Sequence, residues 1–584
     1  MNERWNLDPL YQGFSDPDYA GDLQALKVAC ARFETFTKTL TDMEPKQALR
    51  GCIDALEEIN NLANALAEYA HLRQATDAND AEAASALGQV MGVISTTAGA
   101  DARFRAYAAE VENLEQILDE DEVLAQYRFF FRMIKENSRY LLSAQGENIV
   151  ARMSLSGSNA WSDLQSHLTS TLEVPYNGGV TNLSAIRNLA YDGDPAVRKS
   201  AYDAEIASYD KIKDAVAFAL NSIKLETLNE AQLRGYESPL DMTLKHARMS
   251  KATLDAMLEA MDEYLPKFWA YLKAKAKALG YEGSLPWYEM FAPMGGSSKT
   301  YTTEEARDYL VNLFGTFDGE LRDMVAEAFA NAWIDFYPRA GKRGGAFCSG
   351  VEKLGESRIL TNYDGSFSDI VTLAHELGHA FHNLQIRDHR PLNRDYSMPV
   401  AETASTFNEC VIMAAAIAAA TDKDEKLALI ESQLQDATQI ICDIYSRFRF
   451  EASVFALRNE EFLTADRLCE LMLDAQKKSY GDGLAEETLH PFMWVCKSHY
   501  YGPIFYNFPY AFGGLFARGL YAQYEKEGEA FLPKYKKLLH ETTVRTVEEA
   551  AMVADIDLTD KAFWKQGLQV LADEIDLFIS LLEE

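Results

Sequence analysis

The chain is poor in thiols, imidazoles and basic charge, and it has no long apolar run. Seven cysteines stand scattered at 30, 52, 348, 410, 442, 469 and 496, an odd number with no CxxC pair. That excludes a thiolate zinc cage and makes a poor disulfide framework, and it fits a reducing compartment. Lys and Arg number 56 against 89 Asp and Glu, a formal net charge of −33 with a pI near 4.7. A body this acidic repels nucleic acid and anionic membrane, so neither is expected as a partner. The longest apolar run, Cys410 to Ala420, is too short to span a bilayer and reads as a packed helix. Met1-Asn2-Glu3-Arg4-Trp5 lacks a basic segment followed by an apolar one, so no signal peptide is visible. The expected location is the cytoplasm. Pro/Ser-rich linkers, internal repeats and low-complexity tracts are also missing, which predicts tightly packed subdomains rather than swinging ones.

What is present is mainly helix. At 584 residues the chain exceeds the size at which one core stops growing, and 48% hydrophobic with 25% charged residues is ordinary globular composition. Leu23 to Phe36, Pro45 to Ala75 and Ala81 to Glu112 carry apolar residues at three- and four-residue spacing, and Leu189 to Asn229 resumes the pattern. Between them Pro175-Tyr-Asn-Gly-Gly179 is a strong turn signal, and the softest boundary lies around Pro175 to Asp194. The expected organisation is therefore an N-terminal helical region, 1–190, and a catalytic region, 191–584. Strand signals are few: Gly344 to Cys348 and Ser357 to Tyr363 predict a small sheet just before residue 370. From Leu427 onward the reading is helical again, with breaks at Gly481-Asp-Gly483 and over Tyr501 to Gly514.

The chemistry concentrates at His375-Glu376-Leu377-Gly378-His379, which contains two of only ten histidines. Residues four apart on a helix share a face, so both imidazoles can hold one zinc while Glu376 activates the attacking water. Ile370, Leu373, Ala374, Leu377, Phe381 and Leu384 form an apolar stripe on the opposite side, and Ser366 with Asp369 predicts a boxed helix start. A third ligand is required. His382 sits about 10 Å along the axis from His375, at 1.5 Å per residue, which makes joint coordination awkward. Glu402 lies on the segment Pro399 to Glu409, a return helix that Pro399 opens, and is the favoured third ligand. Glu409, two turns on, is suited to a hydrogen bond with a ligand histidine, and His382 also reads as a residue supporting the ligands.

These residues resemble the thimet oligopeptidase family of zinc metallopeptidases, on its oligoendopeptidase F branch. The motif His375 to His382 and the downstream Glu402, Ser405 and Glu409 match its two signatures. Trp5 to Tyr11, Arg139 to Ser143, Leu155 to Trp161, Lys342 to Cys348 and Ile359 to Tyr363 resemble further segments of the branch, with residues of about 115–185 similar to its N-terminal domain. The resemblance implies a mainly α, zincin-like fold with a small sheet beside the active-site helix and a deep substrate channel. It implies one zinc per chain and cleavage of internal bonds in short peptides. A zinc carboxypeptidase on a similar helical scaffold is the alternative. It further implies that His499, Tyr506 and Tyr510 contact substrate and steady the oxyanion. A third tyrosine of the family has no counterpart, since Gly513 and Gly514 follow. Substrate is expected to pair with an edge strand near Arg358 and Tyr363. Oligomeric state is not legible in the sequence.

Overall fold

A computed structural model describes residues 2–296 and 299–583. The chain begins with a helical layer: α1 (Pro17–Phe36), α2 (Pro45–Thr76), α3 (Ala81–Ser95), α4 (Ala98–Glu110) and α5 (Arg128–Asn137). The single run expected over Ala81 to Glu112 is two helices, interrupted at Thr96-Thr97. There both hydroxyls bond back to carbonyls three residues earlier, a local alternative to the helical ladder. The Pro175 turn is the tip of a hairpin, β1 (Glu173–Tyr176) with β2 (Gly179–Asn182), and Asn177 and Gly178 both have positive φ, as a tight hairpin turn demands. Then come α6 (Pro195–Ser208), α7 (Lys213–Arg234) and α8 (Lys251–Ala278).

The sheet expected before residue 370 is present, with three strands in the order β3 (Ile334–Asp335), β5 (Glu356–Leu360), β4 (Phe347–Val351). β4 and β5 run antiparallel, Ser349 opposite Arg358. The middle place of β5 corrects one expectation. All five of its residues pair with β4, and from Ile359 to Tyr363 the backbone also bonds to residues 333–336, so this stretch is not an edge to which a peptide can add. Among the described residues no strand covers the outer edge of β4, which is the edge open to an added chain.

Side chains of β4 alternate between two halves of the molecule, as a pleated strand requires. Phe347 meets the Trp5 ring, Ser349 Oγ donates to Glu68 Oε2 on α2 at 2.6 Å, and Val351 is buried in the core built by residues 5–134. Gly350 faces the other way, against Asn383 on α9 (Phe367–Ile386). After α9 come α10 (Thr403–Ala419), α11 (Ile444–Arg458), α12 (Phe508–Glu527), α13 (Leu532–Glu541) and α14 (Lys561–Glu583). A second, larger core joins α8, α9, α10, α12 and α14. A third is shared by residues 172–223 and 450–501.

The expected break over Tyr501 to Gly514 ends sooner, because α12 starts at Phe508 with Pro509 in its first turn. Gly513 and Gly514 therefore sit inside a helix. A Cβ on Gly513 would lie 2.9 Å from the Glu402 Cβ, and one on Gly514 would meet Ile440 at 3.0 Å. Close packing, not a turn, explains these glycines. All seven cysteines are free. No helix among the described residues is long and apolar enough to cross a membrane.

Candidate metal centre

Helix α9 starts as expected. Ser366 Oγ accepts from the Asp369 N–H and the Asp369 carboxylate accepts from the Ser366 N–H, closing a reciprocal cap. Ile370, Leu373, Ala374, Leu377 and Phe381 are buried in the large core, which turns His375 and His379 to the opposite side. Their Nε2 atoms each lie 3.3 Å from Glu402 Oε2, and the three donor atoms stand within 4.8 Å of one another.

Two details of packing bring Glu402 there. It does not lie within one helix running from Pro399. A one-turn helix, Met398–Ala401, ends at Glu402, whose backbone (φ −91°, ψ 10°) caps α10. Helix α10 can approach because residue 378 has no side chain: a Cβ there would fall 2.5 Å from both the Ala404 carbonyl oxygen and Ser405 Cα. The glycine inside the motif is thus a contact residue between helices.

The ligand candidates are themselves held. Ser405 Oγ donates to Glu402 Oε2 at 2.7 Å, and Glu409 Oε1 stands 2.7 Å from His375 Nδ1, the nitrogen facing away from the site. A carboxylate on the outer nitrogen fixes a ligand imidazole's tautomer and direction. Burial lowers the pKa of His375, yet hydrogen bonds to Glu402 and Glu409 outweigh it and push it up to about 10. Burial raises the Glu402 carboxyl, and the two histidines override it and hold that carboxyl well below its usual range. The same carboxylates that favour a proton on His375 favour a cation between the imidazoles. Two imidazole nitrogens and one carboxylate oxygen suit zinc, with a coordination position left for substrate or water.

Glu376 is only 5% exposed and lines the same cavity, of about 440 Å³, as His375, His379, Glu402 and the β4 residues Cys348 to Gly350. Burial raises its pKa, opposed by the two histidines. His499, Tyr506 and Tyr510 come together, with His499 6.0 Å from both tyrosine rings and the tyrosines 5.7 Å apart between centroids. Burial raises Tyr510 to about 12, with further contributions from Tyr506 and from the Glu402 charge. Burial and the cations Arg447 and Lys497 lower His499, which keeps it neutral.

Three expected residues are spent elsewhere. His382 is fully buried, with Nε2 2.9 Å from Thr542 Oγ1 and 3.3 Å from the Leu539 carbonyl, so it anchors α9 to the end of α13 and supports no ligand directly. Arg358 is 1% exposed, donating to the Asn6 carbonyl and pairing with Glu356. The Tyr363 hydroxyl donates to the Tyr301 carbonyl at 2.9 Å. Conversely, Tyr396 was not anticipated. Its ring stacks on His382 at 4.3 Å and lines the cavity beside Glu402, yet it belongs to no sequence motif. Cys348, at the end of a segment already matched to the branch, also lines it, as does Asn383, which only a helix placed in space could identify.

Comparison with known proteins identifies the family. The family model described as Peptidase family M3 matches residues 188–569, and the one described as Oligopeptidase F matches 108–173. Oligopeptidase PepF of Bacillus subtilis is 24% identical over 99% of this chain and 87% of its own length. An oligoendopeptidase F homolog of Borreliella burgdorferi is 22% identical over 100% and 98%. The crystal structure of oligoendopeptidase-F from Enterococcus faecium shares the fold, with TM-score 0.72 and 18% identity over 97% of this chain and 99% of that one. With a family model spanning most of its length and a second matching its N-terminal part, the chain belongs to peptidase family M3, on the oligoendopeptidase F branch.

Proposed function

We propose that this peptidase is a zinc-dependent oligoendopeptidase that hydrolyses internal bonds of short peptides, with Glu376 as general base. The observation that carries the reading is the convergence of His375, His379 and Glu402 on one cavity whose wall also holds the buried Glu376 carboxylate. His375, His379 and Glu402 would hold one zinc ion. When bound, zinc supplies Lewis-acid polarisation of the scissile carbonyl and makes water acidic enough to attack at neutral pH.

The protein's own groups do the rest. Substrate adds antiparallel or parallel to the free edge of β4, its backbone bonding to that strand and its scissile bond lying over the motif. Glu376 takes a proton from the attacking water and returns it to the leaving amine. Its raised pKa, a consequence of burial, suits a group that must hold that proton briefly. Tyr506 or Tyr510 donates a hydrogen bond to the oxyanion, and neutral His499 orients the tyrosine pair or the substrate. Glu409 and Ser405 position His375 and Glu402.

The deciding experiment is mass spectrometry of products from a peptide library, with and without chelator, including peptides amidated at the C-terminus. Internal cleavage of amidated peptides, abolished by chelator and restored by zinc, is expected. Release of single C-terminal residues from free-acid peptides alone would make the enzyme a carboxypeptidase.

A further inference from the structure

A second cluster of metal-type donors lies beyond the C-terminal end of α9. Asp388 and His389 directly follow that helix, and His540 sits in the last turn of α13. His389 Nε2 lies 2.8 Å from His540 Nε2 and 3.2 Å from its Nδ1, with ring centroids 4.0 Å apart; Asp388 Oδ1 is 3.3 Å from His540 Nε2, and one donor atom from each of the three residues falls within 4.8 Å of the others. Each ring is also held from its other side. Thr543 Oγ1 lies 3.2 Å from His389 Nδ1, and Glu541 Oε1 lies 3.5 Å from His540 Nδ1, its second oxygen being paired with Arg545. Outer partners of this kind hold ligand imidazoles in place.

We infer that Asp388, His389 and His540 form a second divalent transition-metal site, distinct from the centre at His375. Donors at about 2.0–2.1 Å from a zinc ion stand roughly 3.3 Å apart in a tetrahedron. The Asp388–His540 separation already meets that; the His540 ring, with both nitrogens near His389 Nε2, needs to turn its Nε2 toward the shared point and draw back by about half an ångström. Two imidazoles and a carboxylate select a zinc-like ion over magnesium or calcium. The ion would staple the end of the catalytic helix to the 539–543 segment, the same segment that anchors His382. Its role is structural, so the proposal does not rest on the catalytic reading above.

Zinc alone is the probe. Zinc content after equilibrium dialysis at micromolar free zinc is to be measured for the full-length wild type, His540→Ala, Asp388→Asn and Glu402→Ala. Two equivalents are expected in the wild type and one in His540→Ala, with peptide hydrolysis of His540→Ala unchanged. Asp388 is exposed, so Asp388→Asn folds normally; its affinity for the second equivalent should fall by roughly tenfold or more. Zinc should raise the Tm of Glu402→Ala, which retains this site, and not that of a Glu402→Ala/His540→Ala double variant. If His540→Ala fails to fold, Asp388→Asn decides. A single equivalent that is lost in Glu402→Ala and retained in His540→Ala overturns the proposal, as does a second equivalent bound by Asp388→Asn with wild-type affinity. A single equivalent retained in Glu402→Ala and lost in His540→Ala sustains it while removing the metal from the His375 centre.

Discussion

Buried Glu376 and half-buried Glu402 stand beside the same two imidazoles, and the different roles proposed for them follow from what touches them. Glu402 accepts a hydrogen bond from Ser405 and lies 3.3 Å from both Nε2 atoms, which suits a ligand; Glu376 lines the same cavity without such a hydrogen bond, which suits a proton carrier. Glu376→Gln should therefore keep its zinc, by elemental analysis, while turnover drops by roughly 10²–10⁴-fold, the usual contribution of a general base. Retention of more than about a tenth of the activity, a span of roughly 1.4 kcal/mol, would take the base role from Glu376. Glu402→Ala should lose zinc from this centre on dialysis. Ser405→Ala should weaken zinc binding more mildly, since the ligand remains and only its orientation suffers, and a metal-affinity series over the two variants tests that order. His375 and His379 were legible because residues four apart share a helix face, and Glu376 because the motif sets a carboxylate beside the first of them; periodicity alone would also have picked His382, which is buried against Thr542. Arg358 was misjudged for a physical reason: its neighbours in sequence say nothing of the Asn6 carbonyl that claims its guanidinium.

At the scale of elements, the site depends on how closely α9 and α10 approach. Gly378→Ala places a methyl 2.5 Å from the Ala404 carbonyl oxygen, so one helix must shift. Overpacking of this kind costs about 1–3 kcal/mol, and here the shift also carries Glu402 away from the histidines. Lower Tm together with reduced zinc affinity is the expected result; unchanged affinity would mean that α10 is placed by other contacts. His382 gives a pH prediction for the same helix. Burial, reinforced by the His379 charge, pushes its pKa down to about 3 from 6.5. The unfolded chain thus binds a proton that the folded one refuses, so stability is lost as pH falls below 6.5 and the loss is complete near 3. The slope is at most about 1.4 kcal/mol per pH unit. Chemical denaturation across that range should show a shallower slope for His382→Gln than for the wild type. The helices and the sheet were readable from periodicity and turn signals. The break at Glu402 and the order of the strands were not, because both are set by partners distant in sequence: α12 through Gly513, and β3 on the far side of β5.

At the scale of the molecule, the helical N-terminal layer lies against the strand proposed to receive substrate, and a site walled in this way admits a short chain whole. Blocked peptides of about six to twenty residues, which at roughly 3.3 Å per residue are short enough to thread into a channel, should be cut internally. Folded proteins and a long unfolded chain such as reduced, alkylated albumin should survive. The series is to be run at equal molar concentration with one repeated cleavage sequence, comparing kcat/KM. Similar values for short peptides and for the long chain would mean that the site is open. The alternation along β4 carries a consequence for how such an enzyme can be cut or rebuilt. Phe347, Ser349 and Val351 are fastened to the N-terminal helices and Gly350 rests on the catalytic helix, so one five-residue strand is a rivet through both plates. Any rocking of one plate against the other must tilt the rail proposed for the substrate, and a fragment lacking the first 134 residues would keep every proposed metal ligand while losing the fastening that holds that rail straight.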